Sequence, residues 1–335
     1  MTLSQRLSFF RIKERKCDIN PGKEGSGMLN AKKDGFFYQL VRQKELLLLA
    51  LPFFIYILVF SYLPLWGLSM AFQNFRPNRT FWEQGWVGFL HFQNLFSDPN
   101  FLRVIGNTLA MGVINLVLGF ITAIGFALLL NELVSNKFRR VVQTISYMPH
   151  FLAWIIVASL VANMLSVEDG IINRALMALG LIDREILFLG TPNYFWWIIG
   201  WTNVWKSVGW NTIIYMAAIT SIDPTLYEAA DMDGANRFQK ILHITLPSIK
   251  STIIILLIMN VGWVLNAGFE LQYLLGNGIV ADVSETIDIF VIKRGLAQSN
   301  YSLATAAGMF KTVVSVILVG FCNWLAGRLG EEKLI

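Results

Sequence analysis

Charge is what this sequence has least of for its length. Only 15% of its 335 residues are Asp, Glu, Lys or Arg, where a soluble chain carries roughly a quarter. The deficit falls in long apolar runs, and hydrophobic residues reach 55%. Such runs exclude an ordinary soluble domain and point to a polytopic membrane protein. Histidine is scarce as well. His91, His150 and His243 lie in separate segments, which argues against a metal cluster. Cysteine is limited to Cys17 and Cys322, near opposite ends; this excludes a disulfide framework, and both read as free thiols. The chain lacks a G-x-x-x-x-G-K-[ST] motif, and Gly22–Gly27 follows no strand, so a nucleotide site of that kind is excluded. No clustered catalytic set stands out, which argues against a membrane-embedded enzyme. The net charge of +5 does not indicate nucleic acid. The Lys and Arg residues flank apolar runs rather than covering one face, which is a topology signal.

What is present begins with a basic tail, residues 1–45, carrying Arg6, Arg11, Lys13, Arg15, Lys16, Lys32, Lys33, Arg42 and Lys44. The first apolar run opens near Glu45, too late and too long for a cleaved signal peptide. Six spans are expected at about 46–70, 104–131, 140–165, 195–220, 252–275 and 304–328, each near the roughly 20 residues that cross hydrocarbon. The fold class is therefore all-α, a six-helix transmembrane domain over 46–330. The positive-inside bias places both termini in the cytoplasm, with the Asn136–Arg140 turn and the 222–250 loop on the same side. Part of the tail can also lie on anionic membrane lipid.

The stretch Tyr227–Pro247 carries the strongest pattern. Asp223-Pro224 reads as a helix start, since Asp caps free N–H groups and Pro suits the first helical position. Gly234 permits a tight turn. A second amphipathic helix is expected, with Phe238, Ile241 and Leu242 on one face, closed by Pro247. Glu228-Ala229-Ala230, three residues, Gly234, nine residues, Ile244, one residue, Leu246-Pro247 resembles the EAA loop of binding-protein-dependent ABC importer permeases. Further segments resemble the carbohydrate branch of that family, including permeases of the alginate and lipoprotein-like importers. They are Asn107-Thr108-Leu109, Pro149 to Trp154, Gly170 to Asn173 with Leu179-Gly180-Leu181, and Asp233-Gly234-Ala235. The resemblance covers about residues 45–330.

That resemblance implies a type I ABC importer permease in the plasma (bacterial inner) membrane, moving an oligosaccharide or polysaccharide by alternating access. It implies as partners a second homologous permease subunit, two ATP-binding cassette subunits and an extracytoplasmic solute-binding protein. ATP and Mg would be bound by the cassette subunits, and this chain would hold no cofactor and no ATPase site. An ion-coupled secondary transporter or channel is the rival reading; it would need an intramembrane ion-binding charge set or inverted repeats.

Within the resemblance, the coupling-loop candidates are Glu228, Ala229, Ala230, Asp233, Gly234, Arg237 and Pro247. Glu228 is expected to pair with a cation of the ATPase, or else to be a solvated helix residue. In span five, Asn260, Trp263, Ala267 and Glu270 fall at i, i+3, i+7 and i+10, one helical face. Asn260, Trp263 and Glu270 there suit either sugar binding or interhelical hydrogen bonding. Span four offers Trp201, Trp205, Thr212 and Tyr215 at helical spacing, with Trp201 also suited to an interfacial belt. Pro149 is expected to bend the start of span three, and His150 reads as a hydrogen-bonded helix-end residue rather than a proton relay.

Overall fold

The computed structural model describes residues 44–328 and residue 330. The basic tail and Cys17 lie outside the described residues. The chain divides into two compact units, Met1–Trp66 and Gly67–Ile335.

Helix α1 (Lys44–Phe72) is long and apolar enough to cross a membrane. It starts as a regular helix containing Pro52 and passes through a π turn at Leu58–Tyr62 into a tighter 3-10 stretch. A short hairpin follows, with β1 (Gln73–Asn74) antiparallel to β2 (Gly85–Trp86), then helix α2 (Leu90–Ser97).

Helix α3 (Pro99–Asn131) is the spine of the second unit. Asp98 caps it by accepting from the Asn100 N–H at 2.9 Å, and Pro99 occupies the first turn. Three buried clusters lie along it. Phe101 and Val104 pack with Ile287, Phe290, Ala306 and Ala307. Met111 packs with Phe195, Ile199 and Leu271. Ala123, Ala127 and Leu130 pack with Tyr215, Met216 and Ile249. Each cluster joins this one helix to elements distant in sequence, so α3 aligns the others around it.

The third expected span is a broken one. Helix α4 (Asn136–Tyr147) tightens into a 3-10 turn at Met148–Phe151, and α5 (Trp154–Met164) leaves it at 102°. Pro149 sits in that turn, as its fixed φ and missing N–H favour. Helix α6 (Ile171–Ala178) follows outside the span, and α7 (Pro192–Thr220) is the fourth expected span. At 29 residues α7 is amply long to cross hydrocarbon. Its mean hydropathy is lowered by Lys206, three Asn and a run of Trp, so it falls outside the set of strongly apolar helices.

Helix α8 (Pro224–Met232) lies in the polar loop. Helix α9 (Arg237–Ser248) then meets α10 (Lys250–Gly262) at a 62° bend. Pro247 does not close α9 as expected; it lies within it. Because Pro247 cannot donate and its ring crowds the carbonyl four residues back, the chain widens into a π turn at Ile241–Thr245, where the Leu246 N–H reaches Ile241 O. The actual break falls at Ile249.

Span five departs most from expectation. Helix α10 ends at Gly262, and Glu270 begins a separate helix, α11 (Glu270–Leu275). The cause lies on α3. Gly112 has no side chain, and a Cβ there would run into the Val264 carbonyl oxygen. The backbone of 264 therefore rests directly on α3. One turn further, Asn115 Nδ2 donates to Ala267 O at 3.1 Å, and Gln272 Nε2 donates to the same carbonyl. Gly268 takes a positive φ of 97° to complete the turn. Short helices α12 (Ala281–Ser284) and α13 (Ile287–Ile292) lead to α14 (Tyr301–Arg328), the last span. Asn107 and Thr108 of α3 hold this return segment. Asn107 Nδ2 donates to Asp282 O at 2.7 Å and Glu285 O at 3.2 Å, and Thr108 Oγ1 accepts from the Ile287 N–H at 3.0 Å.

Candidate functional site: an exposed helical loop and an intramembrane path

The loop is built as two helices around a glycine. Asp223 Oδ1 accepts from the Thr225 N–H at 2.9 Å, and this bond holds the Asp223 carboxyl below its ordinary range. Helix α8 ends on Gly234 at φ +75°, with the Ala235 N–H returning to Ala230 O at 2.9 Å. That is a Schellman-type ending, for which a left-handed glycine is suited. Asn236 then opens α9 with a capping box, exchanging hydrogen bonds with Gln239.

Staples hold the two helices together. Tyr227 Oη meets Thr245 Oγ1 at 2.9 Å, and Asp231 pairs with Lys240. Arg237 Nε approaches Glu132, at the end of α3, at 3.9 Å. On the outside of this frame Glu228 is exposed, and no hydrogen bond or ion pair engages it among the described residues. Ala229, Asp233 and Gly234 are exposed too. So are large apolar side chains of the same loop: Leu226, Phe238 and, at 88% exposure, Met232. A stiff scaffold that displays a free carboxylate among apolar side chains has the character of a protein-docking surface.

Inside the membrane half, the polar residues do not form the single stripe expected of span five. Because the helix stops at Gly262, Asn260, Trp263 and Glu270 open onto three separate recesses. Asn260 meets Tyr215, Asn115 and Asn211 in a cleft of about 120 Å³ between α3, α7 and α10. Trp263, 67% exposed, lies in a recess of about 380 Å³ with Asn266, Asp288, Lys311, Thr312 and Ser315. Asp288 and Lys311 are ion-paired there at 2.5 Å. Glu270 lies in a third recess beside Leu152, Trp154 and Tyr273. The aromatic face of α7 also divides. Trp205 joins Trp197 and Trp201 in an apolar groove of about 590 Å³ against α5 and α6, while Tyr215 is buried on the α3 side. Thr212 is consumed by bonds to Ala123 O and Val208 O.

Lys206 escaped the sequence reading. It sits in α7 and is only 5% exposed. Its Nζ donates to His150 O at 2.6 Å and lies 4.9 Å from the centre of the Trp154 ring. These contacts place the cation on the break between α4 and α5. A lone Lys inside a long apolar helix was the available signal. His150 is not held as expected. Its ring stacks on Trp210 with centroids 4.5 Å apart, and its Nδ1 is buried without a hydrogen-bond partner among the described residues.

Comparison with known proteins fits this geometry. The family described as "Binding-protein-dependent transport system inner membrane component" matches residues 115–331. The chain is 41% identical over 315 residues to Protein LplB of Bacillus subtilis, covering 94% of this chain and 98% of that one. It is 44% identical over 303 residues to the polygalacturonan/rhamnogalacturonan transport system permease protein YteP of the same organism, covering 90% and 94%. Among solved structures it resembles a chain of a bacterial alginate ABC transporter in complex with an alginate pentasaccharide-bound periplasmic protein. The TM-score is 0.82 at 39% identity, with 89% of this chain and 99% of that chain covered. An all-α bundle of membrane helices, an EAA-type loop displayed on a stapled helical frame and this breadth of similarity converge: the chain belongs to the binding-protein-dependent transport system inner-membrane component family and is a permease subunit of an ABC importer.

Proposed function

We propose that this permease carries an oligosaccharide or polysaccharide across the plasma membrane, with both termini and the 222–250 loop in the cytoplasm. Its partners are a second homologous permease, two ATP-binding cassette subunits that bind ATP and Mg, and an extracytoplasmic solute-binding protein. The names of YteP and of the alginate transporter support a glycan substrate. The ion-coupled rival is not favoured, since it leaves the loop without a role.

The observation that carries the reading is the exposed Glu228 on a frame tied to α10. The Tyr227–Thr245 and Asp231–Lys240 staples would make α8 and α9 move as one body when the ATPase pair closes, and the chain junction at Ile249 would pass that motion to α10. Ala229, Ala230 and Asp233 would lie at the contact, Gly234 would shape it, and Arg237 would tie it to α3. In the membrane, Asn260 with Tyr215, then Trp263, then Glu270 would be successive contacts on the substrate path, pairing amides and carboxylates with aromatic rings. Trp205 would border it from the apolar groove.

Glu228→Lys tests the coupling role. An exposed pair is worth at most about 1 kcal/mol. A partly buried pair left with a like charge costs several kcal/mol, or orders of magnitude in complex stability. The expected outcome is a folded permease that loses the ATPase subunits or hydrolyses ATP without substrate stimulation. Normal co-purification together with normal stimulation would make Glu228 a solvated surface residue. Topology has its own test. Asn173 is an unsuitable reporter, being 1% exposed and bonded to Ser166 and Ile186. A cysteine at the exposed Leu181 should label from outside, and one at Asn236 should not; the reverse pattern would invert the proposed orientation.

A further inference from the structure

A recess of about 470 Å³ opens between α4 and α7 at the end of the bundle nearest the loop. Its polar rim is Asn136, Arg139, Arg140 and Gln143, and its floor includes Ile213 and Met216. Among the described residues no carboxylate lines it. Arg139 uses Nη2 on the carbonyls of Leu133, at 2.8 Å, and Asn131, at 3.3 Å, while its Nε is buried with no hydrogen-bond partner among the described residues. No ion pair engages Arg140 among the described residues. Two adjacent arginines therefore line a recess without counter-charge among the described residues.

We infer that this recess is a site for the phosphate headgroup of an anionic phospholipid. Arginine presents a planar fork of donors that fits phosphate oxygens, and Asn136 and Gln143 add amide donors at the same rim. The apolar floor decides the source of the phosphate. A free ion would rest against Ile213 and Met216 with nothing to offer them, whereas a lipid lays its glycerol and acyl region on that surface. Basic recesses between spans at the inner face are a recurring form of lipid recognition. The site rests on the proposed orientation only for which leaflet supplies the lipid. It is independent of the substrate and of Glu228.

The experiment uses the purified importer complex in nonionic detergent, titrated with phosphatidylglycerol or phosphatidylcholine, with the thermal unfolding midpoint as the readout. Phosphatidylglycerol should raise the midpoint saturably and phosphatidylcholine should not. Arg140→Gln should weaken the apparent affinity for phosphatidylglycerol roughly fivefold, and Arg139→Gln with Arg140→Gln roughly thirtyfold. Lys137→Gln makes the same charge change on the same helix outside the recess and should leave the affinity unchanged. Arg139 also holds the end of α3, so the double variant can lose stability; the Arg140 single variant keeps the test intact. The inference is overturned if Lys137→Gln weakens binding as much as Arg140→Gln, which would mean diffuse attraction. Equal stabilisation by inorganic phosphate or glycerol 3-phosphate also overturns it, making the recess a soluble-anion site. So does release of the ATPase subunits by Arg140→Gln with the lipid response intact, which would make the recess a protein contact.

Discussion

Two spans of this protein are bent, and they are held differently. The 102° break between α4 and α5 is anchored inward. Lys206 of α7 donates to the His150 carbonyl there, and a Cβ at Gly209 of α7 would strike the backbone of Ser146. The 62° break between α9 and α10 is anchored on both sides: Ile249 at the break packs with Ala123, Ala127 and Leu130 of α3. Thr245, one turn before the break, bonds Tyr227 of the exposed loop. One bend is fixed to the bundle, and the other to both the bundle and the exposed loop. On the proposed coupling role, the first bend would serve as a fulcrum that stays and the second as an arm that moves.

Breaking the fulcrum should have the largest effect. Gly209→Val places a branched side chain against backbone that cannot yield. Overpacking costs typically about 1–3 kcal/mol, more where no side chain can move aside, and the expected outcome is little folded permease recovered from membranes. Normal yield and a normal unfolding midpoint would mean that α4 and α7 are not in backbone contact. Lys206→Met comes next. It leaves the His150 carbonyl without its donor and the Trp154 ring without its cation, a loss of about 1–3 kcal/mol. A lower midpoint with the ATPase still bound is expected; loss of the ATPase at an unchanged midpoint would place Lys206 on the arm instead. The smallest energetic change is Tyr227→Phe, which deletes one hydrogen bond worth about 1 kcal/mol. Here stability should barely change, while substrate-stimulated ATP hydrolysis falls. Unaltered stimulation would show that the loop transmits force without this staple.

The loop was legible in the sequence because its causes are local. Asp223-Pro224 announces a start, and Gly234 sits where φ must be positive. The apolar helices Lys44–Phe72, Pro99–Asn131 and Tyr301–Arg328 were legible from composition alone. The break in span five was not, because its cause lies about 150 residues away, in a glycine and an asparagine of α3 that receive Val264 and Ala267. Periodicity assumes a continuous helix, so it carried Glu270 onto a face that the chain had already left. The same assumption set Trp205 and Tyr215 on one wall, though a helix surrounded by several neighbours serves more than one. Pro149 marked the other bend, and a lone lysine in an apolar run marked Lys206, but nothing local to the bend joined the two.

The bonds from Asn107, Thr108 and Asn115 of α3 to residues 267–287 also set an order in time. A chain is made from its N-terminus, and α3 reaches the lipid well before those residues exist. Until they arrive, two amides and a hydroxyl of the second span lack the distant partners they have in the finished protein, and polar groups in hydrocarbon are costly to leave unpaired. Biogenesis of this permease therefore cannot be completed span by span. Its second helix waits, provisionally inserted, for the last third of the chain to be delivered.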